Sequence, residues 1–187
     1  MARPLDHRRR AELLAGVVDY IAERGLAELS LRPLAAALGT SSRMLIYYFG
    51  TKEELLVQAL ATQRPDLALV FADIADAAAL RTRLLGFFDR NADGPELRSV
   101  RVLLQVLGAA CAPDSLYQDY ARQAIAVFVG ELAAALRRIG GIDDPEVVAT
   151  LLISGMRGIL QDRLVTGDRE RTDRAARALL TAALPAG

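Results

Sequence analysis

Along almost the whole chain, apolar residues recur at steps of three and four, and the alternation at steps of two that marks a half-buried strand is missing. Ala and Leu dominate these positions, and the clearest Gly and Pro breaks fall between the periodic stretches. A chain patterned this way buries its apolar surface by packing helix on helix. The expectation is therefore an all-α protein of about nine helices. A first helix is expected over Asp6–Arg24, with Leu13, Leu14, Val17, Val18 and Ile21 as one stripe and Gly25 as its end. Ser30 stands as N-cap for a short helix Leu31–Leu38, where Pro33 is tolerable because first-turn amides have no helical partner. Gly39 permits a tight turn, and Thr40 or Ser41 caps a third helix through Tyr48 or Phe49. Thr51 and Glu54 have capping-box spacing, so a fourth helix starts there and runs to about Gln63. Further helices are expected near 66–72 (its own helix or a continuation of the fourth), 77–90, 95–110, 115–139, 145–166 and 169–184. Asp144 before Pro145 reads as N-cap then first helical position.

Charge and composition narrow the chemistry. Lys+Arg and Asp+Glu are both 23 in 187 residues, so any nucleic-acid signal must be local rather than global. The longest uncharged run in the apolar middle, Val102–Pro113, has 12 residues, too few to span a bilayer. The N-terminal stretch has no apolar signal region, so a soluble, cytoplasmic protein with no membrane partner is expected. Cys111 and His7 are the sole Cys and His. No intrachain disulfide can form, a Cys/His zinc site lacks ligands, and no acid–base set converges. An enzyme is therefore not expected, nor a cofactor. Every basic residue but one is Arg, which leaves Lys52 as an isolated exception.

Residues 30–49 carry the functional signal. Two short helices joined by a Gly-containing turn, with another helix in front, make a helix-turn-helix. The second of the pair can lie in the DNA major groove with its N-terminal residues at base edges. Leu34, Leu38, Leu45 and Phe49 can supply the small core that sets the angle between the two helices. Arg43 and Tyr47 are four apart and share a face, with Ser42 and Ile46 beside them. Tyr47 and Tyr48 can donate hydroxyls to phosphate oxygens, and Lys52 can reach the same strand. Arg3, Arg8, Arg9 and Arg10 give the extreme N-terminus a local positive excess over Asp6, favourable near DNA through counterion release.

The run from Leu29 to Leu55 resembles the N-terminal domain of the tetracycline-repressor (TetR) family. Ala35, Gly39, Ser41, Leu45, Phe49, Lys52, Glu53 and Leu55 match that family's pattern at fixed spacing. Three departures stand out: Thr40 replaces the usual Val, Ile46 replaces the first Tyr, and Tyr48 replaces a frequent His. Tyr47 and Tyr48 must then carry the phosphate contact that Ile46 cannot make. Arg43, where a small residue is common, brings a long donor to a base-reading position. The resemblance spans roughly residues 8–60. It implies a DNA-contacting set of Arg32, Thr40, Ser41, Ser42, Arg43, Tyr47, Tyr48 and Lys52, and a dimer through the last two long helices. The domain division expected is 1–55 for the helix-turn-helix and 56–187 for effector binding and dimerisation.

The C-terminal two-thirds carry more apolar helical surface than one neighbouring helix covers. Val147/Val148, Leu151/Leu152, Gly155/Met156 and Ile159/Leu160 repeat every fourth residue, then Leu164/Val165 follow after a slip of one. Ala175/Ala176, Leu179/Leu180 and Ala183/Leu184 repeat the pattern in the last helix. A four-helix interface between two copies would bury such stripes. Leu151, Leu152, Gly155, Ile159, Leu179 and Leu180 are the interface candidates. The middle helices offer Phe87, Phe88, Gln105, Tyr117, Tyr120, Phe128, Met156, Arg157 and Gln161 as lining for a small-molecule effector. The expected function is a ligand-responsive repressor that binds a pseudo-palindromic double-stranded operator as a homodimer. The alternative is a helical interaction or small-molecule-binding module without DNA-binding activity.

Overall fold

The computed structural model describes residues 6–27 and 29–185. Arg3, one of the four N-terminal arginines, lies outside the described residues. Among these residues there are ten helices and no strand. They are α1 (His7–Arg24), α2 (Leu31–Ala37), α3 (Ser42–Phe49), α4 (Lys52–Ala61), α5 (Leu67–Val70), α6 (Ala77–Ala92), α7 (Leu97–Ala110), α8 (Gln118–Ile139), α9 (Pro145–Thr166) and α10 (Arg169–Ala183). The short α5 is a helix of its own because Pro65 has no amide to donate, and Asp66 leaves the helical region to cap from outside. Its carboxylate accepts from the Leu69 amide at 3.2 Å. No helix among the described residues is long and apolar enough to cross a membrane.

The chain forms two compact units. One takes the described residues up to Arg64 together with Arg98–Ala121; the other takes Pro65–Leu97 and the described residues from Arg122 onward. In the first, the expected α1 stripe of Leu13, Leu14, Val17, Val18 and Ile21 is buried, with Leu55, Leu56, Ala59 and Leu60 of α4. Gly16 lets α1 and α2 approach closely: a Cβ there would land on Leu38. Within this unit α7 is tied by polar side chains. Arg98 pairs with Asp19 of α1 at 2.9 Å, and the Ser99 hydroxyl lies 2.9 Å from Gln63 Oε1. Gln105 Oε1 accepts from the Leu26 amide at 2.7 Å.

In the second unit α9 and α10 form an antiparallel pair, each opened by an aspartate cap. Asp144 accepts from Val147 N at 3.1 Å and Asp168 from Arg171 N at 3.0 Å. The turn between them passes through Gly167 at φ 70°, a left-handed residue that satisfies the Arg163 carbonyl. Gly155 packs against Leu179, whose side chain occupies the space a Cβ would take.

Candidate nucleic-acid interface

The head is built from caps and one small core. Asp6 opens α1 by accepting from Arg9 N at 3.0 Å. Ser30 sits at the N-cap of α2, although its hydroxyl makes no capping bond. The α2 C-terminus closes by a paired motif: Thr40 N donates to Ala35 O at 2.9 Å and Gly39 N to Ala36 O at 3.2 Å, with Gly39 at φ 60°. Of the two expected caps for α3, Ser41 is the one used, its hydroxyl accepting from Met44 N at 3.2 Å. Leu34, Leu45 and Phe49 are buried and fix α2 against α3. The expected capping box is present in full: Glu54 N donates to Thr51 Oγ1 at 3.0 Å, and Thr51 N donates to Glu54 Oε2 at 2.7 Å.

With Leu45 and Phe49 turned in, helical geometry turns the opposite face of α3 out. Arg43 is exposed, Tyr47 is 58% exposed, and Ser42 and Tyr48 are half-buried at its margins. The Tyr47 and Tyr48 rings meet edge to face at 5.6 Å, which braces both hydroxyl-bearing rings at the end of α3. Arg32 is exposed on α2 and Thr40 is half-buried in the turn. Lys52 is half-buried in the first turn of α4, with Glu53 at 3.6 Å. A partly exposed pair of this kind contributes little and leaves the ammonium available to a phosphate.

The basic N-terminus divides in a way the sequence did not indicate. Arg8 is exposed beside Glu12 at 3.1 Å. Arg9 donates to the Leu38 carbonyl at 3.3 Å. Arg10 lies 5.3 Å from the Phe49 ring centre and donates to Gln58 Oε1, so it ties α1, α3 and α4 together. Two of these charges therefore serve the head's own packing as well as its field. Sequence reasoning also missed Gly50, where α3 ends at φ 84° and any Cβ would land on the Glu54 carboxylate of the capping box. Its signal was available, since a glycine directly before a capping box marks a position that must clear the returning carboxylate.

The other candidate residues fall into different surroundings. Gln105 is engaged at both ends of its amide, with Leu26 N and, at 3.3 Å, Arg101 O. Tyr120 is buried beneath Arg64 at 4.8 Å, in the same unit. Tyr117 is half-buried; burial first, and the Glu53 carboxylate second, push its phenol above the usual tyrosine range. In the second unit Phe87 and Phe128 meet edge to face at 6.0 Å, and Phe88 is buried against the Arg163 guanidinium at 5.4 Å. Met156 is buried and Gln161 exposed. Arg157 is half-buried with Ser154 Oγ at 3.2 Å, and burial holds its pKa below the ordinary arginine value. Of the interface candidates, Leu152 and Leu180 are fully buried in the chain's own core and so offer no surface to a partner. Their helices already cover them from within. Gly155, Ile159 and Leu179 are half-buried along the α9–α10 seam. Leu151 is exposed, and Val147 and Val165 extend its face along α9.

A three-helix head that turns a capped short helix outward, with arginine, hydroxyls and a lysine around it, defines a helix-turn-helix DNA-binding protein. The family model described as bacterial regulatory proteins, tetR family, matches residues 13–59. No curated protein matches the chain. Among solved structures, a protein from Rhodococcus sp. described as a TetR-family transcriptional regulator is 26% identical, with 93% of this chain and 95% of that one covered, at a TM-score of 0.73. SmeT, the repressor of the Stenotrophomonas maltophilia multidrug efflux pump SmeDEF, in its triclosan complex is 20% identical, covering 96% and 93%, at 0.75. The multidrug binding protein EbrR complexed with imidazole is 23% identical, covering 100% and 95%, at 0.75. The head, residues 13–59, thus matches the tetR family model, and the fold is similar to that of solved TetR-family regulators.

Proposed function

We propose that this protein is a repressor that binds a pseudo-palindromic operator as a homodimer in the cytoplasm and is released by a small-molecule effector. The observation that carries the DNA-binding half is the outward projection of Arg43 and Tyr47 from a helix whose other face is locked by Leu45 and Phe49. Arg43 reads a base edge; Ser42 and Tyr47 donate nearby; Thr40, Ser41, Tyr48, Lys52 and Arg32 hold the phosphates on either side. The N-terminal end of α3 adds amide donors to the same anionic surface.

Dimerisation rests on the exposed apolar face of α9, formed by Val147, Leu151 and Val165. Leu151 is its centre; Gly155, Ile159 and Leu179 shape the seam beside it. A two-fold pair presents one α3 to each half-site. The effector site is assigned to the second unit, where Phe87, Phe128 and Met156 offer apolar surface and Arg157 and Gln161 offer donors. This composition suits an aromatic molecule with a polar or anionic group. The similar structures of SmeT with triclosan and of the multidrug binding protein EbrR with imidazole support a ligand-responsive reading. An effector acts by its differential affinity for two conformers, and about 1–3 kcal/mol of coupling is typical.

The experiment is a gel shift on duplex taken from beside the protein's own gene, with sedimentation in parallel and triclosan as first effector probe. Retarded duplex, a dimer at micromolar concentration and release by an added aromatic ligand are expected. A chain that stays monomeric and retards no duplex would leave the helical binding module as the better description.

A further inference from the structure

The α3 sequence, Ser-Arg-Met-Leu-Ile-Tyr-Tyr-Phe, limits what its outward face can offer a base pair. Met44 is 38% exposed and Ile46 43% exposed, so two large apolar side chains flank Arg43 and Tyr47. Helical spacing makes the four contiguous: Ile46 is three from Arg43, Tyr47 is four from Arg43, and Tyr47 is three from Met44. Exposing them to water contributes nothing to the head, whose core already holds Leu45 and Phe49. The helix has no Asn, Gln, Asp or Glu. It therefore lacks the side chains that make paired hydrogen bonds to adenine or accept from the cytosine amino group. What remains is one guanidinium, hydroxyls and apolar surface.

We propose that α3 reads its half-site as one guanine, through Arg43, and as thymine 5-methyl groups, through Met44 and Ile46. This rests on the DNA-binding reading above and extends it to a base code. In the major groove guanine offers two acceptors to Arg43, whereas an A·T pair offers α3 chiefly the thymine methyl. Met44, unbranched and polarizable, adapts to a methyl on one strand; Ile46, on the other flank of Arg43, reaches one on the opposite side. The surroundings supply the charge that makes a duplex the occupant of this apolar face: Arg43 within it, Lys52 on the next helix and Arg32 on the preceding one.

Thymine-to-uracil replacement tests this, because it removes only the methyl. A duplex is selected from a randomised pool with the full-length protein, and each thymine of one half-site is replaced singly by uracil. Wild-type protein is expected to lose about fourfold in affinity at two thymine positions, the value of one buried methyl. Met44→Ala should become indifferent to uracil at one of them and keep its response at the other; Ile46→Ala should do the reverse. Both side chains are exposed, and unchanged melting curves confirm that the variants fold. Equal wild-type affinity for thymine and uracil duplexes overturns the methyl code while leaving DNA binding intact. If the pool yields no bound duplex, the DNA-binding reading itself is overturned, and this inference with it.

Discussion

Two arginines on two helices are used in opposite ways. Arg43 projects from α3 into solvent, on the face opposite the core. Arg163 of α9 is only 5% exposed and is saturated with partners. Its Nε donates to Thr172 Oγ1 at 2.6 Å, its Nη1 to Asp93 at 2.7 Å and its Nη2 to the Arg169 carbonyl at 3.3 Å and to Asp173. Arg169 closes the cluster by reaching the other Asp93 oxygen at 2.8 Å. A cation kept for a ligand stays hydrated, so no desolvation cost falls on the free protein. A cation that joins α9, α10 and the end of α6 is buried and must be fully paired. The contrast separates side chains that act on a partner from side chains that hold the fold.

Variants sharpen this contrast in order of effect. Arg163→Ala takes the guanidinium away from Asp173, leaves Asp93 with Arg169 alone and opens a buried gap. Both carboxylates are about a third exposed, so a loss of about 3 kcal/mol is expected in chemical denaturation. A change below about 0.5 kcal/mol would make the cluster ornamental. Gly50→Ala forces φ 84° on a residue with a Cβ and displaces Glu54 from the capping box. It should cost about 2 kcal/mol of stability and weaken DNA binding with it. Arg43→Ala should leave the melting curve unchanged and lose about 1–3 kcal/mol of operator affinity, with preference relaxed at one base pair. Uniform weakening on every sequence would move Arg43 from base to phosphate. Lys52→Ala should weaken all duplexes evenly and make the salt slope shallower by about one unit.

The smallest effect is acid-linked. The Arg171 guanidinium donates to Asp162 at 2.6 and 2.8 Å and holds that carboxyl below the usual aspartate pKa; Asp168 is lowered first by the Arg171 backbone amide at 3.0 Å and then by the Arg171 side chain at 3.1 Å. A depressed folded-state pKa adds stability above the unfolded value, about 3.9, and that contribution is lost as pH falls through the folded value. Asp162 is about a third exposed and Asp168 nearly half, so solvent screening keeps the effect slight. Arg171→Gln should flatten the acid limb of the melting temperature between pH 5 and pH 2, roughly the window of an aspartate with lowered pKa; an unchanged limb would assign it to other carboxyls.

The head was legible because its instructions are local. Ser41, Thr51 with Glu54, Gly39 and the Leu45–Phe49 core each act within a few residues of their place in the sequence. Arg10 was not legible, because its partners Phe49 and Gln58 are some forty residues away and chosen by packing. The last two helices were legible as helices, but not in their sidedness. Adjacent apolar pairs such as Leu151/Leu152 mark a wide stripe without saying which member faces inward; the structure turns Leu152 in and Leu151 out. The one-residue slip before Leu164/Val165 did mark something. It puts Arg163 on the inward line of Leu152, Met156 and Leu160, where a buried cation would otherwise be unexpected. Gln105 had the polarity of a ligand contact, and only its distance to the Leu26 amide shows it bracing the α1–α2 turn.

The central claim is that the outward face of α3 recognises a DNA sequence. Fluorescence anisotropy of wild type and Arg43→Ala on a selected operator and on a scrambled duplex, at two salt concentrations, tests it most directly. Wild type should favour the operator at both salts by about a thousandfold or more, the margin typical of specific over non-specific binding, and Arg43→Ala should lose about ten- to a hundredfold of that margin. Equal affinities of wild type for operator and scrambled duplex, or a margin undiminished in Arg43→Ala, would contradict it.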